Sequence, residues 1–244
     1  TMSKILPKPR RSGRQNRLAQ RAAPPKVNPA TAGQIGGQYR PLSEADLKGI
    51  YQTALRLLSD LGMGEVPDRL RDDLVAAGAI ATDNGRVSFP NALVEDAIAM
   101  SVKTFVLHGR DPDRSIEVGG DKVYFGTGGA AVNTLDMGTG LYRPSTLNDL
   151  HDFTRLQDTL DNVAWFTRCC IATDLPDNFD LDVNTAYALL RNTTKPVATA
   201  FTIAEHVDPI VKMLDIAAGG EGEFAKRPFL KTHISPVISP MRFG

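Results

Sequence analysis

Asp121-Lys-Val-Tyr-Phe-Gly-Thr-Gly-Gly-Ala-Ala-Val-Asn-Thr-Leu-Asp-Met-Gly-Thr-Gly-Leu-Tyr-Arg-Pro-Ser145 divides the chain. Before it lie a basic segment and short amphipathic helices. After it, apolar strands alternate with amphipathic helices. Val123 to Ala131 reads strand, then glycine turn, and Gly126, Gly128 and Ala131 satisfy the loose dinucleotide pattern G-x-G-x-x-A. Such a fingerprint must open a helix, because the pyrophosphate sits on that helix's N-terminus. Here Ala130 to Asp136 is short, contains β-branched residues and runs into Gly138 and Gly140. The first strong helix signal follows Ser145, and Asp149, near the place of the ribose-binding acid, falls inside that helix. The pattern therefore reads as turns: a strand, a glycine turn, a strand Ala131 to Asp136, a Gly-Thr-Gly turn and Leu141 to Arg143.

Downstream, Ser145 is the expected cap of a helix reaching about Asp161, with Leu147, Leu150, Thr154 and Leu160 inward. Val163 to Thr167, Pro196 to Phe201 and Phe229 to Ile234 read as strands. Leu181 to Leu190 and Val207 to Ala217 read as helices, the second ended by Gly219-Gly220. Strand starts near 163, 196 and 229 recur at roughly one βα unit of a parallel sheet.

Upstream, Ser43 caps an expected helix whose Leu47, Ile50, Tyr51, Ala54, Leu57, Leu58 and Leu61 recur on one face, stopped by Gly62. A shorter helix carries Leu70, Leu74 and Val75. Asp83-Asn-Gly85 signals a hairpin, and Pro90 opens a helix with Leu93, Val94, Ala97 and Ile98 inward. Thr104 to His108 and Ser115 to Val118 alternate like strands around a Gly109 to Asp113 turn. His108 reads better as a strand-end polar group than as a site residue.

At 244 residues, 42% hydrophobic and 23% charged, the chain can bury a core of one large domain or two small ones. Net charge is zero but unevenly placed. No acidic residue precedes Glu44, while Lys4, Lys8, Arg10, Arg11, Arg14, Arg17, Arg21, Lys26 and Arg40 do, leaving 19 basic against 28 acidic residues, a body near −9. Residues 1–41 read as a basic mobile arm. No apolar run is long enough to span a bilayer, and the N-terminus lacks a secretory apolar core. Adjacent Cys169 and Cys170 have no zinc-ligand spacing and suggest reduced thiols in cytoplasm, with no metal site expected.

Phe125-Gly-Thr-Gly-Gly129, Thr134-Leu-Asp136, Thr139-Gly140, Arg143, Thr146-Leu-Asn-Asp149, Arg155-Leu156 and Asp158 together resemble the trimethylamine methyltransferase family. The Arg10-Arg-Ser-Gly-Arg14 arm and the helices before residue 100 look like that family's N-terminal region. The resemblance implies a (β/α)8 TIM barrel with an N-terminal helical extension. It divides the chain into an arm (1–41), a helical extension with short strands (42–120) and a first half-barrel (121–244). Family members are about twice as long, and strands are expected only near 122, 163, 196 and 229, whereas a closed barrel uses eight. A fragment, or an assembly that completes the sheet, is therefore expected.

The implied reaction moves an N-methyl group from a tertiary or quaternary methylamine, such as trimethylamine or glycine betaine, to Co(I) of a corrinoid protein. The cob(I)alamin or methylcobalamin arrives with that partner and is not tightly bound. A homo-oligomer without membrane or nucleic-acid contact is expected. Trimethylamine enzymes of the family carry pyrrolysine in the second half of the barrel; many relatives lack it and demethylate quaternary amines, the branch favoured here. A methyl leaving N⁺ releases a neutral amine, so no proton must be delivered. Catalysis rests on positioning and water exclusion, in an aromatic cation pocket with a cationic group for a carboxylate.

A barrel site lies at the strands' C-terminal ends. The candidates there are Tyr124, Phe125, Gly126, Gly128, Gly129, Trp165, Arg168, Thr199, Phe201, Thr232, His233 and Ser235, with no catalytic residue assigned. Trp165 and Phe201 read better as simple core than as site residues, Arg168 fits a salt bridge as well as a ligand contact, and His233 fits a structural hydrogen bond equally well. Two other classes compete. One is a TIM-barrel enzyme for a small anionic or phosphorylated substrate, its glycine turn holding phosphate through backbone N–H groups. The other is a nucleic-acid-binding module led by the basic arm, disfavoured by the acidic body.

Overall fold

The computed structural model describes residues 31–233 and 237–243. Most of the basic arm, and Ser235, lie outside them. Within the arm's last residues, β1 (Gln34–Ile35) pairs antiparallel with a later strand. Helix α1 (Glu44–Arg56) starts at a capping box: the Asp46 N–H donates to Ser43 Oγ (3.2 Å) and the Ser43 N–H to the Asp46 carboxylate (3.0 Å). It continues through a π-helical turn, Leu57–Leu61, and stops at Gly62, where φ is +66°. A Cβ on Gly62 would lie 2.4 Å from the Val87 carbonyl oxygen, so both the turn and the close approach require glycine.

Helix α2 (Asp68–Ala76) is followed by the expected hairpin of β2 (Ile80–Ala81) and β3 (Val87–Ser88). Helix α3 (Asn91–Met100) leads to an antiparallel pair, β4 (Thr104–Leu107) and β5 (Ile116–Gly119). The helices form where the apolar spacing places them, but their burial differs. Leu47, Ile50, Tyr51, Leu57 and Leu61 are exposed, as are Val75 and Ile98, and Leu55 alone is buried in α1. Periodicity identifies an apolar stripe; it does not identify what covers it, and little among the described residues covers this one.

In the glycine run, β6 (Lys122–Val123) pairs with β1, and β7 (Phe125–Gly126) enters a larger sheet. The run then forms the hairpin β8 (Asn133–Leu135) and β9 (Tyr142–Pro144). No helix follows the glycines of β7, so the turn reading stands. Helix α4 (Leu147–Asp158) is capped by Thr146, not Ser145, and ends earlier than expected, leaving Leu160 outside and exposed. Ser145 is buried instead, its hydroxyl donating to the Ala131 (3.1 Å) and Ile171 (2.6 Å) carbonyls.

Then come β10 (Val163–Thr167), α5 (Asn178–Asn192), β11 (Val197–Thr199), α6 (Val207–Ala218), α7 (Glu223–Lys226) and β12 (Leu230–Thr232). Strands β7, β10, β11 and β12 form one parallel sheet in chain order, matching the expected βα rhythm. Register aligns Phe166, Val197 and Leu230 on one face. That face packs with Leu150 of α4, Leu189 of α5, and Ile210 and Leu214 of α6 in the main core. Each such side chain contributes about 1.5–3 kcal/mol on burial, before conformational entropy is subtracted. The same register aligns Thr167, Ala198 and Lys231 on the opposite face, which Trp165 shares by strand alternation.

A smaller core joins Met63, Val66, Ala79 and Val87 to Met241 and Phe243. The last two belong to or adjoin a terminal hairpin, β13 (Val237–Ile238) with β14 (Arg242–Phe243). The Arg86 guanidinium fastens the two chain regions, donating to the carbonyls of Leu61 (2.7 Å), Gly62 (2.8 Å) and Met241 (2.7 Å).

Candidate functional site

The C-terminal ends of the parallel strands gather most of the glycine-run residues. Gly126 lies flat against the Trp165 indole: a Cβ there would sit 2.1 Å from Cε2 and 2.2 Å from Nε1. The absence of a side chain is what lets the ring lie across the neighbouring strand. Thr127 replaces a ladder partner, its Oγ1 donating to the Thr167 carbonyl (2.7 Å) and accepting from the Thr167 N–H (3.0 Å). Gly129, at φ +111°, approaches the Cys169 carbonyl, and Ala131 bridges Cys170. Around a Cβ placed on Gly128 there is open space.

Of the residues that carried the family resemblance beyond Gly129, Asp136, Thr139, Arg143, Thr146 and Asp149 build the support of this loop. Arg143 forks onto Asp149, with Nη1 2.6 Å and Nη2 2.8 Å from the two carboxylate oxygens, and its Nε reaches Asp136 at 3.2 Å. Asp149 also accepts from the Thr146 N–H (2.8 Å), closing the α4 capping box. Asp136 accepts from the Gly138 (3.1 Å) and Thr139 (2.9 Å) amides, fixing the β8–β9 turn. This knot ties the hairpin to the start of α4.

The hydrogen bond from Arg143 chiefly holds the Asp149 carboxyl below the usual carboxylate range, against burial, with Thr146 adding to it. A depressed folded pKa stabilises the fold fully above the unfolded value of about 3.9 and loses that contribution as pH falls through the folded value. Asp149→Asn is therefore expected to lower stability near neutral pH and to flatten its decline below about pH 4. Urea unfolding across that range measures both effects; parallel curves for the two proteins would refute the assignment.

Beside the glycine loop, burial lowers the Arg168 guanidinium from its ordinary value, and the Asp182 carboxylate pulls it back up. Among the described residues Arg168 makes no ion pair, so the salt-bridge alternative has no partner there. Thr199 is fully buried, with its hydroxyl on the Ala200 carbonyl (3.2 Å), and Phe201 packs on the main core. His233 is exposed, its N–H donating to the Thr199 carbonyl (3.3 Å), and Thr232 is exposed beside it. Cys170 lies in the main core and Cys169 packs against it, as packing residues would.

Tyr124 is elsewhere. It lines a polar cavity of about 400 Å³ at the opposite ends of the strands, with Asp113, Asp158, Asp161 and Lys195. The residue immediately before a short strand sits at its N-terminal end, and β7 begins only at Phe125. Phe125, paired with Val163 at the start of β10, is mostly exposed.

Two features were not anticipated. Asp182, near the start of α5, is wholly buried, and its Oδ2 accepts from the Thr202 N–H and hydroxyl, each at 2.8 Å. His206 Nδ1 lies 2.8 Å from the same oxygen, with Phe179 edge-on to the imidazole. Oδ1 of Asp182 has no protein partner among the described residues. The signal was legible in helical spacing: Asp182, Thr185, Ala186 and Leu189 share the buried face. The second is Lys231, whose Nζ lies 4.5 Å from the Trp165 ring centroid. Strand alternation could have placed both on one face, since Leu230 and Phe166 are the aligned inward positions.

Strand ends carrying an aromatic ring, two cations and a glycine loop can bind and orient a small polar ligand. Among the described residues, no group of three or more histidine, cysteine, aspartate or glutamate side chains could hold a metal ion, and no helix is long and apolar enough to cross a membrane.

A parallel α/β fold with this site is the class the geometry defines. The trimethylamine methyltransferase family model matches residues 10–244, and the chain belongs to that family. It is 29% identical over 202 residues to the trimethylamine methyltransferase MttB of Desulfitobacterium hafniense (strain DSM 10664 / DCB-2), covering 82% of this chain and 40% of the relative. It is 23% identical over 214 residues to a glycine betaine methyltransferase of D. hafniense (strain Y51), covering 86% and 43%. To trimethylamine methyltransferase MttB1 of Methanosarcina mazei it is 26% identical over 214 residues, covering 86% and 43%. The chain spans less than half the length of these curated relatives.

Proposed function

We propose that the chain serves a methyltransferase that moves an N-methyl group from a tertiary or quaternary methylamine to Co(I) of a corrinoid carried by a separate protein. The observation that carries this reading is the family match, which runs across the glycine loop and all four parallel strands. Relatives named for trimethylamine and for glycine betaine support the donor class. The sheet supports the first half of a (β/α)8 barrel. Its four strands are parallel and consecutive, the helices cover one face, and the site lies at the strands' C-terminal ends.

The residues fit this chemistry in a limited, positional way. A quaternary donor's methyl leaves a cationic nitrogen, so the amine departs neutral and no acid is needed; a tertiary donor balances in the same way only as its protonated ammonium, which keeps that proton on the departing amine. What the chain supplies is orientation: the Thr127–Thr167 pair fixes the loop, the Arg143 knot braces it, and the open space over Gly128 leaves room for an acceptor's approach. The exposed stripe of α1 supports a homo-oligomer that covers it, and the neighbouring free thiols support a cytoplasmic location.

Incubation with a reduced corrinoid protein and a panel of trimethylamine, glycine betaine and other quaternary amines tests the reading. Demethylated amine is expected from at least one donor, in proportion to corrinoid. Inhibition by phosphate without demethylation of any donor would favour the small-anion enzyme instead.

A further inference from the structure

A cavity of about 260 Å³ opens against the end of α6, remote from the glycine loop. Arg110, from the turn after β4, lines it together with Lys226 of α7 and Arg227 just beyond that helix. Glu223 is its one acidic residue. Phe229 completes the wall and immediately precedes β12, which puts the cavity at the N-terminal ends of the parallel strands.

Three cations against one carboxylate give the lining a charge near +2, in a body that carries 19 basic and 28 acidic residues. The Lys226–Glu223 pair (2.5 Å) accounts for one cation and the acid. Among the described residues, neither guanidinium has an ion pair. Arg227 Nη2 donates to the Gly109 (2.8 Å) and Arg110 (2.6 Å) carbonyls, which occupies one of its three nitrogens and fastens the turn. Arg110 Nε is fully buried with no hydrogen-bond partner among the described residues, and Nη2 meets the Thr193 carbonyl at a long 3.5 Å. A buried charged donor without an acceptor is costly, as are two like charges brought to one cavity, and native structures rarely keep either without a cause.

We propose that this cavity is an anion site that takes a phosphate group, free or carried on a small molecule. A phosphate group bears about −1.5 to −2 charges near neutral pH and several strong acceptor oxygens. It balances the lining's charge and gives Arg110 Nε the acceptor it lacks, whereas a carboxylate leaves one guanidinium uncompensated. The volume is below the roughly 300–1,000 Å³ of pockets for drug-sized ligands, so little else enters with the phosphate. Bound there, it links the turn after β4 to the connection between α6 and β12.

The purified protein is titrated at constant ionic strength with inorganic phosphate, methyl phosphate and acetate, by calorimetry and by thermal unfolding. Phosphate is expected to bind saturably and to raise the unfolding temperature with its concentration, as a ligand of the native state must. Acetate should bind about tenfold more weakly. Tighter binding of methyl phosphate assigns a carried group, and tighter binding of the free ion assigns inorganic phosphate; both support the site. Arg110→Gln is expected to weaken phosphate binding roughly tenfold or more, the loss of one charge-assisted contact. Without phosphate the same variant should unfold at the native temperature or above, because the unpaired donor is gone. Arg110→Lys, which keeps the charge but not the planar fork, should retain part of the binding. Equal phosphate binding in native and Gln proteins would overturn the proposal, as would acetate binding as tight as phosphate or no saturable binding at all. A Gln variant destabilised in the absence of phosphate would also count against it, by showing that Arg110 already has its partners.

Tryptophan emission separates this site from the glycine turn. Trp165 is the only tryptophan in the chain and sits against Gly126, so its emission should stay unchanged as phosphate fills the cavity. A saturable emission change that persists in Arg110→Gln protein would place the phosphate at the glycine turn and refute the assignment to this cavity.

Discussion

Gly126→Ala should destabilise the protein by about 1–3 kcal/mol, the usual cost of overpacking, and shift the emission of its single tryptophan. The added Cβ would fall 2.1–2.5 Å from three atoms of the Trp165 indole, a separation no contact tolerates. Either the ring leaves its seat or β7 moves away from β10. The first outcome removes the platform under Lys231; the second weakens an already short edge pairing of Phe125–Gly126 with β10. Gly128→Ala is the matched control, because the space around its Cβ is open and its φ is not in the left-handed region. Denaturant unfolding followed by tryptophan emission should separate the two variants. Equal stability and unchanged spectra for both would mean that the Gly126–Trp165 seat is not tight.

Asp182→Ala has the larger expected effect on stability, because it removes a buried acceptor shared by three groups, at about 1–3 kcal/mol for each one left unsatisfied. Its carboxylate is wholly buried and gathers three donors or partners from the segment after β11: the Thr202 N–H, the Thr202 hydroxyl and His206 Nδ1, each at 2.8 Å. Removing it strands those groups away from water. It also releases the loop between β11 and α6 that borders the strand ends. Asp182→Asn retains the shape and one carbonyl acceptor, so its loss should be clearly smaller. Thermal unfolding of the two variants provides the comparison. An alanine variant within experimental error of the native protein would show that this buried network contributes nothing.

Much of this was legible in the residues. The spacing of Val163, Pro196 and Phe229 gave the parallel rhythm because each βα unit must repeat strand, turn and helix at similar length. The glycine run could be separated from a dinucleotide fingerprint because no helix could close before Gly138, and the β8–β9 hairpin occupies that stretch. Asp83-Asn-Gly85 located its hairpin through turn chemistry, and Gly62 its helix end.

Of what was missed, part depends on neighbours that local pattern does not encode, and part was present in the local pattern. Leu47, Ile50 and Tyr51 form a real stripe, yet exposure is decided by what lies over it. Ser145 and Thr146 are both plausible caps; only the position of Asp149, three residues after Thr146, selects the second. Tyr124 looked like a strand-end aromatic because β7 was expected to begin earlier than it does. Lys231 was not singled out, although the alternation that buries Leu230 places it beside Trp165. Asp182 was not singled out: helical spacing puts it on the buried face, but its partners lie 20 and 24 residues downstream.

The most direct test of the methyl-transfer reading is spectroscopic. A corrinoid protein reduced to Co(I) is mixed with this protein and glycine betaine, and the corrinoid absorbance is followed under anaerobic conditions. The expected result is conversion of Co(I) to its methylated form, with dimethylglycine appearing in equal amount. A Co(I) spectrum unchanged with glycine betaine, trimethylamine and every other methylamine donor would contradict it.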